Sequence, residues 1–80
     1  MGTHKLPLGG DPDSKLDQLK RAAAQKGIHF KGTVDRGSFY GRGLDGHYRR
    51  EGEFIIVTII KVPFLISETA VVNQIKDFLS

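Results

Sequence analysis

Three glycines near the middle of the chain have the spacing of a phosphate-binding loop. The stretch YGRGLDG, residues 40–46, fits G-x-G-x-x-G with Gly41, Gly43 and Gly46 in the glycine places. In dinucleotide-binding folds this loop leaves a strand and opens a helix, whose N-terminal amides hold the pyrophosphate. Here the glycines precede HYRREGEFIIV, which predicts a strand and a turn instead of a helix. We therefore interpret the stretch as a glycine-bearing β-strand and predict no cofactor.

Metal binding is the second chemistry to consider, because the chain has three histidines. His4, His29 and His47 fall in separate segments and lack the close local spacing of zinc signatures. There is no cysteine, so thiolate sites, disulfides and cysteine nucleophiles are excluded. We predict no metal site.

Acid–base chemistry would need a carboxylate close to a histidine. Asp45 and His47 lie two residues apart on a predicted strand, so their side chains share a face and Asp45 could orient His47 as a base. None of the serines lies in a nucleophile elbow such as G-x-S-x-G; they are Ser14, Ser38, Ser67 and Ser80. A strand-surface ion pair is the favoured interpretation, and we predict no catalytic residue.

The 80 residues allow one small domain with a thin core, for which oligomerisation is a common remedy. The formal net charge is +3, a mild excess that falls short of the clustered charge of a dedicated nucleic-acid binder. The longest apolar run, FIIVTII, is too short to span a membrane, and the first residues lack the layout of a signal peptide. These features predict a cytoplasmic protein.

Hydrophobic periodicity predicts an α+β fold. Residues 1–12 are rich in glycine and proline and predict a flexible arm with at most a short edge strand. The single domain of residues 13–80 then contains a helix ending at Gly27, a meander of three antiparallel strands, and a helix capped by Ser67. The strands are IHFKGTV, FYGRGLDGHYRR and FIIVTIIKV. Both helices are expected on one face of the sheet.

The alternation of side chains assigns each strand residue to one of two faces. The core face is expected to hold Ile28, Phe30, Val34, Phe39, Phe54, Ile56, Ile60 and Val62 around Gly32, Gly41 and Gly43. The opposite face has no helix left to cover it and would bind a partner. Its apolar centre is Leu44, Tyr48, Ile55, Val57 and Ile59, and its rim is Tyr40, Lys31, Arg42 and Lys61. A loop with an odd number of residues would exchange the faces of the strand beyond it.

The C-terminal two thirds of the chain resemble a bacterial family. The resemblance lies in FKGTV, in GSFYGRGLDGHYRREGEFIIVTIIKVPFLIS and in VVNQIKDFL, over roughly residues 28–79. These segments are similar to the polyhydroxyalkanoic acid system proteins of the polyhydroxyalkanoate granule-associated type. The resemblance implies a helix, a strand meander, a Pro-Phe-Leu corner and a closing helix. It also implies an association with storage granules, with no established enzyme activity.

Three functions follow as hypotheses. The first is a non-enzymatic binding or assembly module that forms a homodimer through the uncovered face, with a hydrophobic granule or granule protein as a further partner. The second is a weak binder of nucleic acid or another polyanion through the basic and aromatic rim of that face. The third is an enzyme that uses Asp45 and His47.

Overall fold

The fold is α+β, as the sequence predicts. The computed structural model describes residues 2–63 and 65–79. In chain order the elements are β1 (Gly2–Pro7), α1 (Pro12–Gln25), β2 (His29–Gly32), β3 (Arg36–Gly41), β4 (Leu44–Glu51), β5 (Phe54–Lys61) and α2 (Glu68–Leu79). The five strands form one antiparallel sheet, and the two helices complete the regular structure of the described residues.

The sheet consists of a four-stranded meander with one added edge strand. Strands β2 to β5 each pair antiparallel with the next strand along the chain. β1 pairs antiparallel with β5, which gives the order β1-β5-β4-β3-β2. The N-terminal strand that the sequence allowed is therefore present, and it begins already at Gly2. Half of the segment expected as an arm, residues 2–7, is therefore part of the sheet.

Both helices begin at a recognisable cap. Asp11 caps α1, accepting a hydrogen bond from the Asp13 backbone N–H at 3.3 Å, so α1 starts slightly before the predicted position. Ser67 Oγ accepts from the Ala70 N–H at 3.1 Å, which confirms the predicted cap of α2. Gly27, with φ of +79°, follows the end of α1 as expected of a helix stop.

The core lies between the helices and one face of the sheet, which we call the helix face. Helical spacing places Leu19 and Ala23 of α1, and Val72, Ile75 and Leu79 of α2, in buried positions. Ten of the residues that form the main hydrophobic cluster with Leu19 come from the sheet and α2: Leu6, Phe39, Leu44, Tyr48, Ile55, Val57, Ile59, Val72, Ile75 and Leu79. Both helices therefore pack on the same side of the sheet.

Residues 40–46 form a hairpin, and the prediction of a single continuous strand there is wrong. Gly41 pairs with Leu44, so the loop between β3 and β4 contains only Arg42 and Gly43. Their φ angles are 52° and 89°. Positive φ at both loop positions is the requirement of a type I′ turn, whose twist matches the flanking strands. The sequence hides this turn because Asn or Asp is the usual residue where Arg42 stands.

The hairpin exchanges the two faces for the strand residues that follow it, as far as Ile59. An irregularity between Asp45 and Gly46 then shifts the β4–β5 register, so that Lys61, as predicted, lies on the side opposite the helices. In one continuous strand, Phe39 would share a face with His47. In the hairpin, Phe39 pairs with Gly46 and therefore shares a face with Tyr48, which in turn pairs with Val57. The uncovered face predicted from the sequence is thus wrong for five residues that lie in the core: Leu44, Tyr48, Ile55, Val57 and Ile59. Conversely, Phe54, Ile56 and Ile60 were predicted for the core and lie outside its main cluster.

Gly46 makes room for Phe39, which has the most buried aromatic ring of the described residues. A Cβ at this position would meet Cζ of Phe39, its cross-strand partner, at 2.5 Å. Phe39 is only 1% exposed, because the bare glycine backbone lets its ring lie flat on β4. One glycine of the G-x-G-x-x-G pattern therefore serves packing, and another serves the turn.

The turn yields a stability prediction. Replacing Arg42 by Asn should raise the free energy of unfolding by a few tenths to about 1 kcal/mol, because Asn tolerates the left-handed backbone better than Arg. Urea denaturation monitored by circular dichroism measures the change. The matched control is Arg42→Val, which also removes the arginine stem but is β-branched, and it should lower stability. A shift of both variants in the same direction would contradict the assigned turn.

Candidate binding surface on the open face of the sheet

The side of the sheet opposite the helices is uncovered, and we call it the open face. Strand alternation and register assign it residues from all five strands. They are Thr3, Lys5 and Pro7 of β1; Phe54, Ile56, Thr58 and Lys61 of β5; Asp45, His47, Arg49 and Glu51 of β4; Arg36, Ser38 and Tyr40 of β3; and His29 and Lys31 of β2. All of these except Ile56 and Thr58 are exposed.

The positive charge of the protein is concentrated on the open face. Five lysines and arginines lie on this face together with two carboxylates, which gives a formal excess of three positive charges. The whole chain has a formal net charge of +3, so acidic and basic residues balance over the rest of the molecule. An anionic partner would therefore be attracted to this side of the sheet.

A shallow basic depression lies on the β2–β3–β4 part of the open face. It is lined by Lys31, Arg36, Ser38, His47 and Arg49, together with Gly32, Gly37 and Tyr48. The side chains of Arg36, Ser38 and His47 make no hydrogen bond or ion pair with any other described residue. These groups are free to donate to an oxyanion.

Arg36 and Arg49 lie directly opposite each other on adjacent strands. Like charges in this position destabilise a sheet, so the pair costs folding free energy. Arg49 Nη1 is 2.7 Å from Glu51 Oε2, and this hydrogen bond, with the positive charge of Arg49, holds the pKa of Glu51 below its ordinary value. Glu51 therefore offsets part of the repulsion, whereas Arg36 has no such partner among the described residues.

Aromatic rings accompany the cations at two corners of the open face. The rings of His29 and Tyr40 lie side by side with their centroids 5.4 Å apart, and Lys31 Nζ is 5.8 Å from the Tyr40 ring centroid. At the opposite corner, Lys5 Nζ lies 4.4 Å from the ring centroid of Phe54. Tyr40 and Phe54 are 40% and 39% exposed, so a ligand can reach both rings.

Little apolar surface is accessible at the centre of the open face. Ile56, the central aliphatic residue, is only 8% exposed and lies between its two cross-strand partners Lys5 and Arg49. Long basic side chains commonly cover such a residue with their methylene stems while the charge stays in water. The open face thus presents cations and rings, and lacks a broad apolar patch.

The structure separates the nine residues predicted to bind a partner. Tyr40, Lys31 and Lys61 lie on the open face, and Arg42 lies exposed in the β3–β4 turn. The remaining five are covered by the helices, and Val57 and Ile59 are only 2% and 1% exposed. They have almost no area to offer a partner in the folded protein.

Sequence reasoning missed the basic residues that flank the predicted rim. The sequence interpretation places Lys5 in the arm and Arg36 in a turn, and it gives Arg49 no role. The alternation of side chains along β4 could have placed Arg49 on the open face, since residues 45, 47, 49 and 51 all lie there. That signal becomes readable once the turn at Arg42 and Gly43 is recognised.

Metal binding and acid–base chemistry are the other two functions considered from the sequence, and the histidines are the residues to examine. No group of three or more metal-ligating side chains comes together within residues 2–63 and 65–79. His4 lies on β1, where its Nε2 is 2.5 Å from Glu68 Oε2 at the start of α2. Asp45 and His47 share the open face, but the structure shows no hydrogen bond between their side chains. No helix of the described residues is long and apolar enough to cross a membrane.

Comparison with known proteins identifies no relative of this chain. No family model, no curated protein and no solved structure matches this chain. The resemblance to polyhydroxyalkanoic acid system proteins therefore stays a hypothesis from the sequence.

Tyr48, one of the residues predicted for a partner, has a structural role. Its hydroxyl donates to the carbonyl oxygen of Thr33 at 2.7 Å and so ties β4 to the β2–β3 turn. Burial raises the pKa of Tyr48 above the ordinary value of 10.0, because the charged phenolate would lose its hydration. The folded state therefore favours the neutral side chain.

Replacing Tyr48 by Phe should lower the free energy of unfolding by about 1 kcal/mol at neutral pH, because the Thr33 carbonyl loses its donor. In the wild type, the contribution of neutral Tyr48 to the free energy of unfolding is complete below pH 10.0, the ordinary pKa. It is lost as the pH rises through the higher pKa of the folded state. The stability difference between wild type and variant should therefore shrink above pH 10.0. Urea denaturation at neutral and alkaline pH measures it, with the exposed Tyr40→Phe as control. A constant difference across this range would contradict the buried assignment.

Proposed function

We propose that this protein is a non-enzymatic binding module whose open face takes a polyanionic partner. The observation that carries the proposal is the cross-strand pair Arg36 and Arg49, placed beside Lys31 and His47 in the basic depression. The cations among these side chains, Arg36, Arg49 and Lys31, disfavour the folded protein alone and favour a complex in which an anion lies between them.

Self-association through an apolar sheet face is the less favoured alternative, because the apolar residues predicted to form that face are buried. Val57 and its apolar neighbours belong to the core under the two helices. What the open face offers instead is a net positive charge with exposed hydrogen-bond donors. This geometry supports the polyanion proposal better than the assembly proposal.

The strength of such binding would depend on salt. A protein that neutralises phosphates with Lys and Arg releases condensed counterions, so its affinity falls steeply as the salt concentration rises. The basic side chains of the open face are exposed, so their attraction is screened in the same way. Weak binding at physiological salt and strong binding at low salt are therefore the expected behaviour.

A hydrophobic partner is the second candidate, and one segment favours it. Leu65 and Ile66, which precede α2, are 89% and 47% exposed. Leu65 has a φ of 70°, a left-handed backbone that a branched side chain rarely adopts. An exposed leucine held in a costly conformation would suit contact with a second copy of the chain or with a hydrophobic granule, as the sequence resemblance implies.

Replacing Arg36 by Gln should change polyanion affinity and stability in opposite directions. Affinity for a single-stranded oligonucleotide should fall several-fold at low salt, and the slope of log affinity against log salt should decrease by about 0.7. The free energy of unfolding should rise by a few tenths of a kcal/mol, because repulsion of Arg49 is relieved. Fluorescence anisotropy titrations over a salt series and urea denaturation measure the two effects.

The matched control is Lys76→Gln, which removes one positive charge from α2, on the other side of the sheet. It should leave affinity nearly unchanged. The proposal fails if the wild type binds neither the oligonucleotide nor inorganic polyphosphate at low salt, or if the control weakens binding as much as Arg36→Gln does.

The second candidate is tested at Leu65. The change Leu65→Asn removes exposed apolar area and should also relax the backbone, so stability should stay equal or rise by a few tenths of a kcal/mol. Sedimentation equilibrium over a concentration series compares the two proteins. If the wild type self-associates through this segment, the variant should be monomeric at concentrations where the wild type is not. A wild type that is monomeric throughout, at low and high salt, removes self-association as a function.

A further inference from the structure

The position of the exposed tyrosine indicates which polyanion the open face would take. Tyr40 lies on β3 two residues from Ser38, on the same face and about 7 Å away along the strand. Ser38 belongs to the basic depression. A flat aromatic surface and an oxyanion site are thus neighbours, at a separation comparable with that between the base and the phosphate of one nucleotide.

The ring of Tyr40 is placed as a stacking surface. His29 lies beside it on β2, the edge strand, with the two ring planes inclined by 36°. Tyr40 is 40% exposed, and Lys31 Nζ lies over its ring, 5.8 Å from the centroid, so a stacking base would displace this mobile side chain toward the phosphate. Base stacking on aromatic side chains supplies much of the affinity of proteins for single strands and tolerates any base, because every base has an aromatic face.

Charge is distributed unevenly along the strands in a way that suits nucleotides. The row that contains Tyr40 also contains Asp45, an exposed carboxylate flanked by Lys61 on β5. The next two rows toward the β4–β5 turn contain Lys31 and His47, and then Arg36 and Arg49. A uniform polyanion such as polyphosphate would be repelled at Asp45, whereas a base stacked there would present hydrogen-bond donors to it.

A second ring lies at the far end of the same path. Phe54 lies about 20 Å along the strands and about 10 Å across them from Tyr40. A line joining the two rings passes over His47 and Arg49 of β4. A chain of several nucleotides could follow this diagonal with its phosphates over the basic rows.

We propose that the open face binds single-stranded nucleic acid, with a base stacked on Tyr40 and the adjacent phosphate held in the depression by Arg36, Lys31 and Ser38. This inference rests on the proposed polyanion function and names its ligand class. A duplex fits poorly, because its base faces are already stacked. Inorganic polyphosphate, which has no ring, would leave Tyr40 and Phe54 unused.

Fluorescence anisotropy with three labelled probes tests the assignment. They are a single-stranded oligonucleotide, a strand of the same length made of abasic sites, and the duplex form of the first. The wild type should bind the single strand about five- to tenfold more tightly than the abasic strand, and more tightly than the duplex. Tyr40→Leu should abolish this preference without changing affinity for the abasic strand, whereas Tyr40→Phe should retain it.

The outcomes separate the two proposals. Equal affinity of the wild type for the intact and abasic strands, or an unchanged preference in Tyr40→Leu, overturns the single-strand assignment while polyanion binding stands. Absence of binding to every probe and to inorganic polyphosphate at low salt overturns both. Arg36→Gln should weaken binding of the intact and abasic strands by the same factor, and a loss confined to the intact strand would contradict the phosphate position.

Discussion

The reversal of the chain at Arg42 and Gly43 determines the side of the sheet on which the side chains of β4, and those of β5 as far as Ile59, lie. Strand residues alternate between faces with a period of two, so the point where β3 turns into β4 fixes the alternation of both β4 and β5. With this turn, Tyr48, Val57 and their neighbours meet the helices. The same turn places Arg49 beside Arg36 on the other side. Core and candidate site are therefore two results of one local geometry.

The sequence predicts the elements of this fold better than it predicts their faces. Both helices are legible from spacing and from Ser67 and Gly27, and the turn at Gly52 is legible from its glycine between charged residues. The β3–β4 turn is not, because an arginine holds the left-handed position usually given to Asn or Asp. The sequence assigns Tyr40 and Lys31 to the correct face because both residues come before this turn in the chain. The basic residues beyond it, Arg49 above all, require the tertiary pairing.

The size of the chain explains why one face of the sheet stays open. In a chain of 80 residues the described part contains two helices, and both are needed to bury the apolar residues of the helix face. The opposite face must then remain compatible with water. Charged side chains do this, and the basic neighbours of Ile56 keep it only 8% exposed without a third layer. Without such charges the face would expose an apolar patch, which is an aggregation liability.

Protection from aggregation does not account for the signs of the charges. Cross-strand partners of opposite sign would keep the open face in water equally well and would also stabilise the sheet. The protein instead places Arg36 opposite Arg49 and leaves Arg36 without an acidic partner among the described residues. Its two carboxylates on this face lie toward the ends of β4, at Asp45 and Glu51, away from the central rows. An arrangement that weakens the isolated fold becomes favourable when an anion occupies the centre, and the two exposed rings that flank this centre add a surface for stacking, which charge alone does not require.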